Sequence, residues 1–311
     1  MRRVLCREFA DPERLTVVEE PDPVPGPGEV LVEVEAAAVS FVDGLIARGG
    51  YQLRPPLPFT PGSAVAGRAG GDRVLALLPS FGGFASHLLA DPDRLVPVPD
   101  GVDPRIAASS AENYGTIAFA LQHRVAVRPG EWVVVLGAAG AIGLAAVDCA
   151  RAAGARVLAV ASDEAKRAAA LAAGAQAATG YDDLKTAIRE HTGGGADVVV
   201  DPVGGPAAEA ALRALGPGGR FCVLGFTSGE IPRLPANVVL LRNRTVVGVD
   251  WGDWSRSDPA AARDLAADVL RRIAAGELHP PEPAGLPLTG AGTATRAHAE
   301  RTAVGKYVLV P

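Results

Sequence analysis

From Glu131 onward, runs that are apolar at every position alternate with segments that are apolar about once per helical turn. The runs are WVVVLG, ARVLAVA, ADVVVDPV and RFCVLGF. Between and after them lie IGLAAVDCARAAG, DEAKRAAALAAG, DDLKTAIREHTGG and PAAEAALRALGPGG, each closing on glycine, a common helix stop. Strands without polar alternation are covered on both faces, and strand–helix repetition places them side by side in one direction. This half is therefore expected to be α/β, a doubly wound parallel sheet, completed by RTVVGVDW and the helix PAAARDLAADVLRRIAAG. The first hundred residues read differently. Short strands such as EVLVEVEAAAVS, DRVLALLP and DRLVPVPDG are separated by the proline- and glycine-rich turns PDPVPGPG and RPPLPFTPG. That pattern predicts a small, mostly antiparallel β domain, to which the terminal GKYVLVP returns.

The 311 residues suffice for two domains, and 48% apolar with 21% charged residues is an ordinary globular balance. A net charge of −5 without a basic stripe argues against nucleic acid as a partner. No apolar run is long enough to span a bilayer, and MRRVLCREFADPERL lacks the apolar core of a secretory signal. Cys6, Cys149 and Cys222 are odd in number and far apart, which predicts buried thiols in a reducing compartment, the cytoplasm.

One turn carries chemistry. In VVVLGAAGAIGLAAV an apolar strand meets a helix through Gly137, Ala138, Ala139, Gly140, Ala141, Ile142 and Gly143. Backbone without side chains lets a pyrophosphate approach the helix N-terminus, where free N–H groups and the helix dipole favour an anion. This predicts a dinucleotide site. The next strand ends at Ala161 and Ser162, where an acid would hold a ribose 2′-hydroxyl and repel a 2′-phosphate. Ser162 and Lys166 instead offer donors to that phosphate, so NADPH is expected over NADH. The same stretch also reads as a helix start capped by Ser162 or Asp163, and the two readings are compatible.

Over nearly its whole length the chain resembles the zinc-free quinone oxidoreductases of the medium-chain dehydrogenase/reductase superfamily, the zeta-crystallin type. The resemblance rests on the glycine-turn block with VLAVASDEAK, on ADVVVDPVGG, LRALGPGGRFCVLGF and RTVVGVDWG, and on AAAVSFVDGLIARGGY and PFTPGSAVAG. It implies a GroES-like catalytic domain over 1–112 and 279–311, a Rossmann domain over 113–278, NADPH, and a homodimer joined through Rossmann edge strands. It places Ser162, Lys166 and Tyr181 at the adenosine 2′-phosphate, and Thr116 near the nicotinamide. Gly225, Phe226, Thr227 and Trp251 would form the nicotinamide-side wall.

The chain departs from the family pattern at several places. Ser40 stands where asparagine is common beside the nicotinamide, and Ala64 where glutamate is common. GRAGGDRV is shorter than the usual link, so part of a β-hairpin is expected to be missing. Glu112 and Asn113 replace apolar residues in SSAENYGTIAFAL, either capping a helix or facing substrate.

No metal is expected, because the three cysteines are remote and the five histidines scattered, with His191 and His298 read as solvated. A metal-free reductase works by holding coenzyme and acceptor at attack distance and giving a hydrogen bond to the oxygen where charge gathers. Tyr51, Ser40 and Asn113 are the candidate catalytic side chains, with Asp43 and Tyr114 behind them. The expected substrate is a small quinone or conjugated carbonyl. The alternatives are a tailoring enoyl or carbonyl reductase of polyketide-like metabolism and a non-catalytic NADPH-binding protein.

Overall fold

The computed structural model describes residues 1–300 and 305–311. It divides into two compact units, one made of Met1–Glu112, Trp254–Gly276 and Pro281–Pro311, the other of Asn113–Asp253 and Glu277–Pro280.

The first unit opens with β1 (Arg2–Leu5) and β2 (Thr16–Glu19), an antiparallel pair. A ten-residue strand, β3 (Val30–Val39), runs into α1 (Phe41–Ala47). β4 (Ala64–Ala69) and β5 (Asp72–Leu77) pair in register from Ala64–Leu77 to Ala69–Asp72. The link expected to lack part of a hairpin therefore closes as a complete two-stranded ribbon over Gly70 and Gly71, both at positive φ as a two-residue hairpin turn requires. β6 (His87–Ala90) and β7 (Leu95–Pro97) follow, then α2 (Pro104–Ala118). A bulge in β3 between Val34 and Ala36 shifts the in–out alternation by one residue. Val32, Val34, Ala37 and Val39 thus share one core, while Ala36 and Ala38 face another with Ala64, Ala107, Ala108 and Ala111.

The second unit is built on β8 (Trp132–Leu136), α3 (Ala141–Ala152), β9 (Arg156–Val160), α4 (Glu164–Ala172), β10 (Ala177–Thr179) and α5 (Leu184–Thr192). It continues through β11 (Ala196–Asp201), α6 (Gly205–Ala214), β12 (Leu215–Val223), α7 (Ala236–Leu240), β13 (Thr245–Gly248) and α8 (Trp251–Ser257), whose last residues lie in the first unit. All strand pairs of this sheet are parallel, in the order β10-β9-β8-β11-β12-β13. The doubly wound α/β class is thus realised, with the order reversing between β8 and β11, where such sheets open a ligand crevice. Valine-rich β8 is buried throughout and β11 at every position but Asp197, and they form the core with Leu158, Ile188, Leu212, Leu215 and Phe221.

Two expectations change. The run ALGPGG does not end a helix on glycine: α6 stops at Ala214, and Leu215–Val223 is strand. Buried Arg244 takes the exposed carbonyls instead, donating to Arg213 O at 3.3 Å, Leu215 O at 2.6 Å and Val238 O at 3.1 Å. The long helix α9 (Pro259–Ala274), expected to complete the parallel half, belongs to the first unit. Its stripe includes Ala266 and Leu270, which pack with Val96, Val98 and Ala107. Periodicity announces an apolar stripe without naming the sheet it covers.

The chain ends in the first unit with β14 (Ala284–Pro287), α10 (Ala291–Ala299) and β15 (Tyr307–Val310). β15 pairs with β3, as the composition of GKYVLVP predicts, and the sheet runs β14-β15-β3-β4-β5-β7, with β6 on the other half of β3. Among the described residues no helix is long and apolar enough to cross a membrane.

Candidate functional site

In the second unit β8 delivers the chain to the glycine turn. Gly137 has φ +62°, and a Cβ there would lie 2.8 Å from Val203 Cγ2. Gly143 is fixed by close approach: a Cβ would sit 2.2 Å from Gly137 O and 2.6 Å from Ala138 Cα. The first turn of α3 therefore rests directly on the loop. Gly140 is its N-cap, with no side chain capping it, so the N–H groups of the helix start lack a side-chain acceptor. Ala138 and Ala139 are buried, Gly140 exposed, Ala141 and Ile142 half-buried. This is a cradle for an anion held by backbone donors. The Tyr181 hydroxyl accepts from Gly137 N at 3.0 Å, and burial pushes its phenol up, leaving an O–H free to donate onward. Tyr181 thus braces the glycine turn.

Beyond β9 lies an exposed corner. Asp163 caps α4, its Oδ1 accepting from Lys166 N at 2.9 Å. Ser162 Oγ donates to Asp163 Oδ2 at 3.1 Å, and Lys166 Nζ reaches Ser162 Oγ and Asp163 Oδ2, each at 3.2 Å. Asp163 is the cap that the sequence left open between it and Ser162. The backbone hydrogen bond from Lys166 holds its carboxyl below the usual range. Arg167 donates to Ala161 O at 3.3 Å, with Nη1 3.7 Å from a Cβ position on Gly180, adding a second cation. Serine, lysine and arginine donors thus gather where an acid would otherwise stand at Ala161.

The rim is made by loops after β11 and β12. Thr227 N donates to Pro202 O at 3.1 Å and Ser228 N to Val203 O at 2.9 Å, placing Gly225, exposed Phe226 and Thr227 beside the loop that Gly137 touches. Buried Asp201 fixes that loop through Val203 N at 2.8 Å and Gly204 N at 2.9 Å. Thr116 is half-buried on α2, and Trp251 packs beside it, on Gly115 and Phe119. Asn113 Nδ2 donates to Ala141 O at 3.5 Å, and its buried Oδ1 has no partner among the described residues. Asn113 therefore lies against the start of α3. Tyr114 is not a site residue: it is buried and donates to Asp148 Oδ2 at 3.0 Å. Asp148 also receives Arg151 at 2.6 Å and His279 N at 2.5 Å.

The first unit holds a buried charge network. Ser40 caps α1 in a reciprocal box with Asp43: Asp43 Oδ2 receives Ser40 N and Ser40 Oγ, each at 2.8 Å, and Asp43 N returns a bond to Ser40 Oγ at 3.3 Å. Asp43 Oδ1 receives Gly62 N at 3.1 Å. The next residue, Ser63, donates to Glu112 Oε1, and Lys306 Nζ donates to Val39 O at 3.0 Å and Glu112 Oε2 at 3.4 Å. Glu112 of α2 thus brings a carboxylate to Ser63, the neighbour of Ala64. Asp43 is 2% and Lys306 8% exposed. Burial, then the Glu112 charge, raise the Asp43 carboxyl well above the aspartate range, to about 6. Tyr51 is half-buried in the segment after α1. His298, read from sequence as solvated, is largely buried, edge-on to Tyr307 at 5.5 Å, and its imidazole is pushed down to about 3. Spacing hid this, because the ring is covered by Tyr307 from a separate element, β15.

Sequence reasoning missed Lys306, which no local motif marks, and gave no role to Arg167. Among the described residues no three His, Cys, Asp or Glu side chains converge on a metal position, and the three cysteines are free and buried. Comparison with known proteins gives a match of residues 141–268 to the zinc-binding dehydrogenase family profile. The quinone oxidoreductase-like protein 2 of Rattus norvegicus is 36% identical over 99% of this chain and 91% of its own length. A mycocerosic acid synthase-like polyketide synthase of Mycobacterium tuberculosis is 33% identical over 92% of this chain but only 14% of its own. The quinone oxidoreductase of Thermus thermophilus, whose structures include a complex with NADPH, superposes with a TM-score of 0.88 at 34% identity, covering 100% of both chains.

Proposed function

Because the chain belongs to the zinc-free quinone oxidoreductase family of the medium-chain dehydrogenases/reductases, we propose that it is an NADPH-dependent reductase of quinones or α,β-unsaturated carbonyls that works without a metal. The observation that carries the reading is the uncapped start of α3 beside the Ser162–Lys166–Arg167 corner. Bound there, NADPH supplies a hydride. The protein's part is binding and orientation. The α3 N–H groups take the pyrophosphate, Tyr181 steadies Gly137, and Ser162, Lys166 and Arg167 leave Asp163 and Ala161 O for the 2′-phosphate. Thr116, Gly225, Phe226, Thr227 and Trp251 shape the nicotinamide side, with Asn113 the polar side chain of the same unit; Ser40 and Tyr51 are the candidate catalytic side chains of the first unit. Two copies associate through the β13 edge.

The test is the loss of 340 nm absorbance when NADPH or NADH is mixed with a panel of quinones and enones, before and after chelation. Turnover with NADPH, unaffected by chelator, supports the reading; equal use of NADH, or loss of activity with removal of a bound zinc, overturns it. The likeness to part of a polyketide synthase favours a second reading, reduction of an enoyl group within a bulky acyl chain. A strict preference for such enoyl thioesters over simple quinones separates the two.

A further inference from the structure

Four buried side-chain atoms of the second unit have no hydrogen-bond partner among the described residues: Arg189 Nε, Asp201 Oδ2, Arg244 Nε and Asn113 Oδ1. Asp201 and Arg244 are each held through their other atoms, the first by Val203 N and Gly204 N, the second by three carbonyls. Arg189 is half-buried on α5, away from the glycine turn. Asn113 is different. It is 6% exposed, and its one bond, Nδ2 to Ala141 O, is 3.5 Å long. That exceeds an ordinary N–H···O distance, so the amide is loosely held and a small turn presents Oδ1 to a ligand. An idle carbonyl shut away from water costs free energy, and the cost is recovered when a ligand brings the missing donor.

The place of that carbonyl says which ligand. Ala141 is the first residue of α3, whose uncapped N–H groups form the anion cradle. The carboxamide is planar, so Oδ1 stands at the same helix start as Nδ2. The second half of α2 reaches the sheet from its β13 side: Trp251, after β13, packs on Gly115 and Phe119, and Arg124 Nε donates to Gly248 O at 3.1 Å. The Ser162–Lys166 corner follows β9, on the other side of β8. A dinucleotide whose pyrophosphate rests on α3 straddles this sheet, the adenosine half toward β9 and the nicotinamide half toward β11 and β12. Asn113 borders the second half.

We propose that Asn113 is a coenzyme-binding residue whose Oδ1 accepts a hydroxyl of the nicotinamide ribose of NADPH. This rests on the coenzyme reading above and gives Asn113 to the coenzyme instead of to the acceptor's chemistry. An amide oxygen accepts and cannot donate. The phosphate oxygens are acceptors too and offer it nothing, whereas each ribose hydroxyl is a donor. Through Nδ2 the same side chain stays on Ala141, so one amide ties the ribose to the helix that holds the pyrophosphate.

The test is binding to the full-length protein, read by fluorescence titration and by melting temperature. Asn113→Leu replaces the amide by an apolar group with the same branching. It is expected to weaken NADPH and NADH by the same factor, about 3- to 10-fold, because the 2′-phosphate takes no part. Adenosine 2′,5′-bisphosphate fills the Ser162–Lys166 corner and lacks the nicotinamide ribose, so it should bind Asn113→Leu and wild type equally. Without coenzyme, Asn113→Leu should melt no lower than wild type, since it gives up an idle polar atom. Asn113→Ala removes the same acceptor without adding bulk. It should show the same binding pattern, and it decides the matter if the leucine variant does not fold.

Three results overturn the assignment while leaving the coenzyme reading intact. One is unchanged NADPH affinity in both variants. Another is equal weakening of the bisphosphate, which traces the loss to the α3 cradle and not to the ribose. The third is a coenzyme-free Asn113→Leu that melts several degrees below wild type, which means that an ordered water already serves Oδ1. Wild type that binds neither NADPH nor the bisphosphate removes the coenzyme reading itself, and the assignment of Asn113 falls with it.

Discussion

Lys166 and Gly143 show the two ways a single residue can matter at a nucleotide site, by charge and by absence. Lys166 is exposed and exchanges one partner, Asp163 Oδ2, for another. Its surface ion pair contributes little to stability, whereas a charge-assisted bond to a 2′-phosphate is worth about 1.5–3 kcal/mol. Lys166→Ala should therefore raise the NADPH dissociation constant about 10- to 100-fold and leave that of NADH and the melting temperature unchanged, as titration by fluorescence would show. Gly143 acts by having no side chain. Gly143→Ala drives a Cβ to 2.2 Å from Gly137 O, so the helix start must lift off the loop. A loss of about 1–3 kcal/mol in denaturant unfolding, together with loss of coenzyme binding, is expected. Gly140→Ala, with its Cβ 3.5 Å from the same oxygen and an ordinary φ of −74°, should leave the unfolding free energy unchanged. This part of the site was legible in sequence, because turn geometry and the strand-end acid are local properties. The Asp43–Glu112–Lys306 network was not: its members lie on α1, α2 and the approach to β15, and only tertiary folding joins them.

At the scale of elements, continuous apolar runs marked the parallel strands well, since burial on both faces leaves no polar alternation. Strands that are short or carry few β-branched residues escaped, β10 with Ala177–Thr179 being one and β14 with Ala284–Pro287 another. The placement of α9 escaped for a different reason, as its stripe of Ala262, Leu265, Ala266, Val269 and Leu270 fits either sheet equally. The end of α6 exposes what composition hides. Arg213 O in its last turn, Leu215 O just beyond and Val238 O of α7 are taken by Arg244, a side chain distant in sequence from α6, buried without a carboxylate hydrogen-bonded to it among the described residues. Desolvation and neighbouring arginines lower its proton affinity, but the carbonyl bonds make it the helix cap. Arg244→Leu leaves three carbonyl oxygens without their donor, each bond being worth about 1 kcal/mol. Denaturant unfolding should show a loss of about 2–3 kcal/mol, while Arg242→Leu on the exposed neighbour should change stability by less than about 0.5 kcal/mol.

For the whole molecule the open question is how the six-stranded sheet ends. β10 at one edge is only three residues long, a blunt end. β13 at the other presents a row of backbone groups with Val246 exposed beside it, and α7 and the residue after it leave Leu240 78% and Leu241 62% exposed. Surface leucines that exposed, next to an unpaired strand edge, are a liability in a monomer and an asset in a dimer. A two-fold axis at β13 would pair the strand with its own copy in antiparallel sense, extending the sheet across both subunits and covering the leucines at once. The expected solution state is therefore a dimer by light scattering at micromolar concentration. Val246→Lys with Leu241→Glu puts charge on both parts of that surface and should give a monomer that still binds NADPH, since the coenzyme cradle belongs to the carboxyl ends of β8 and β9. A wild-type monomer, or a dimer indifferent to both substitutions, would place the subunit contact elsewhere and leave the exposed edge to be explained by another partner.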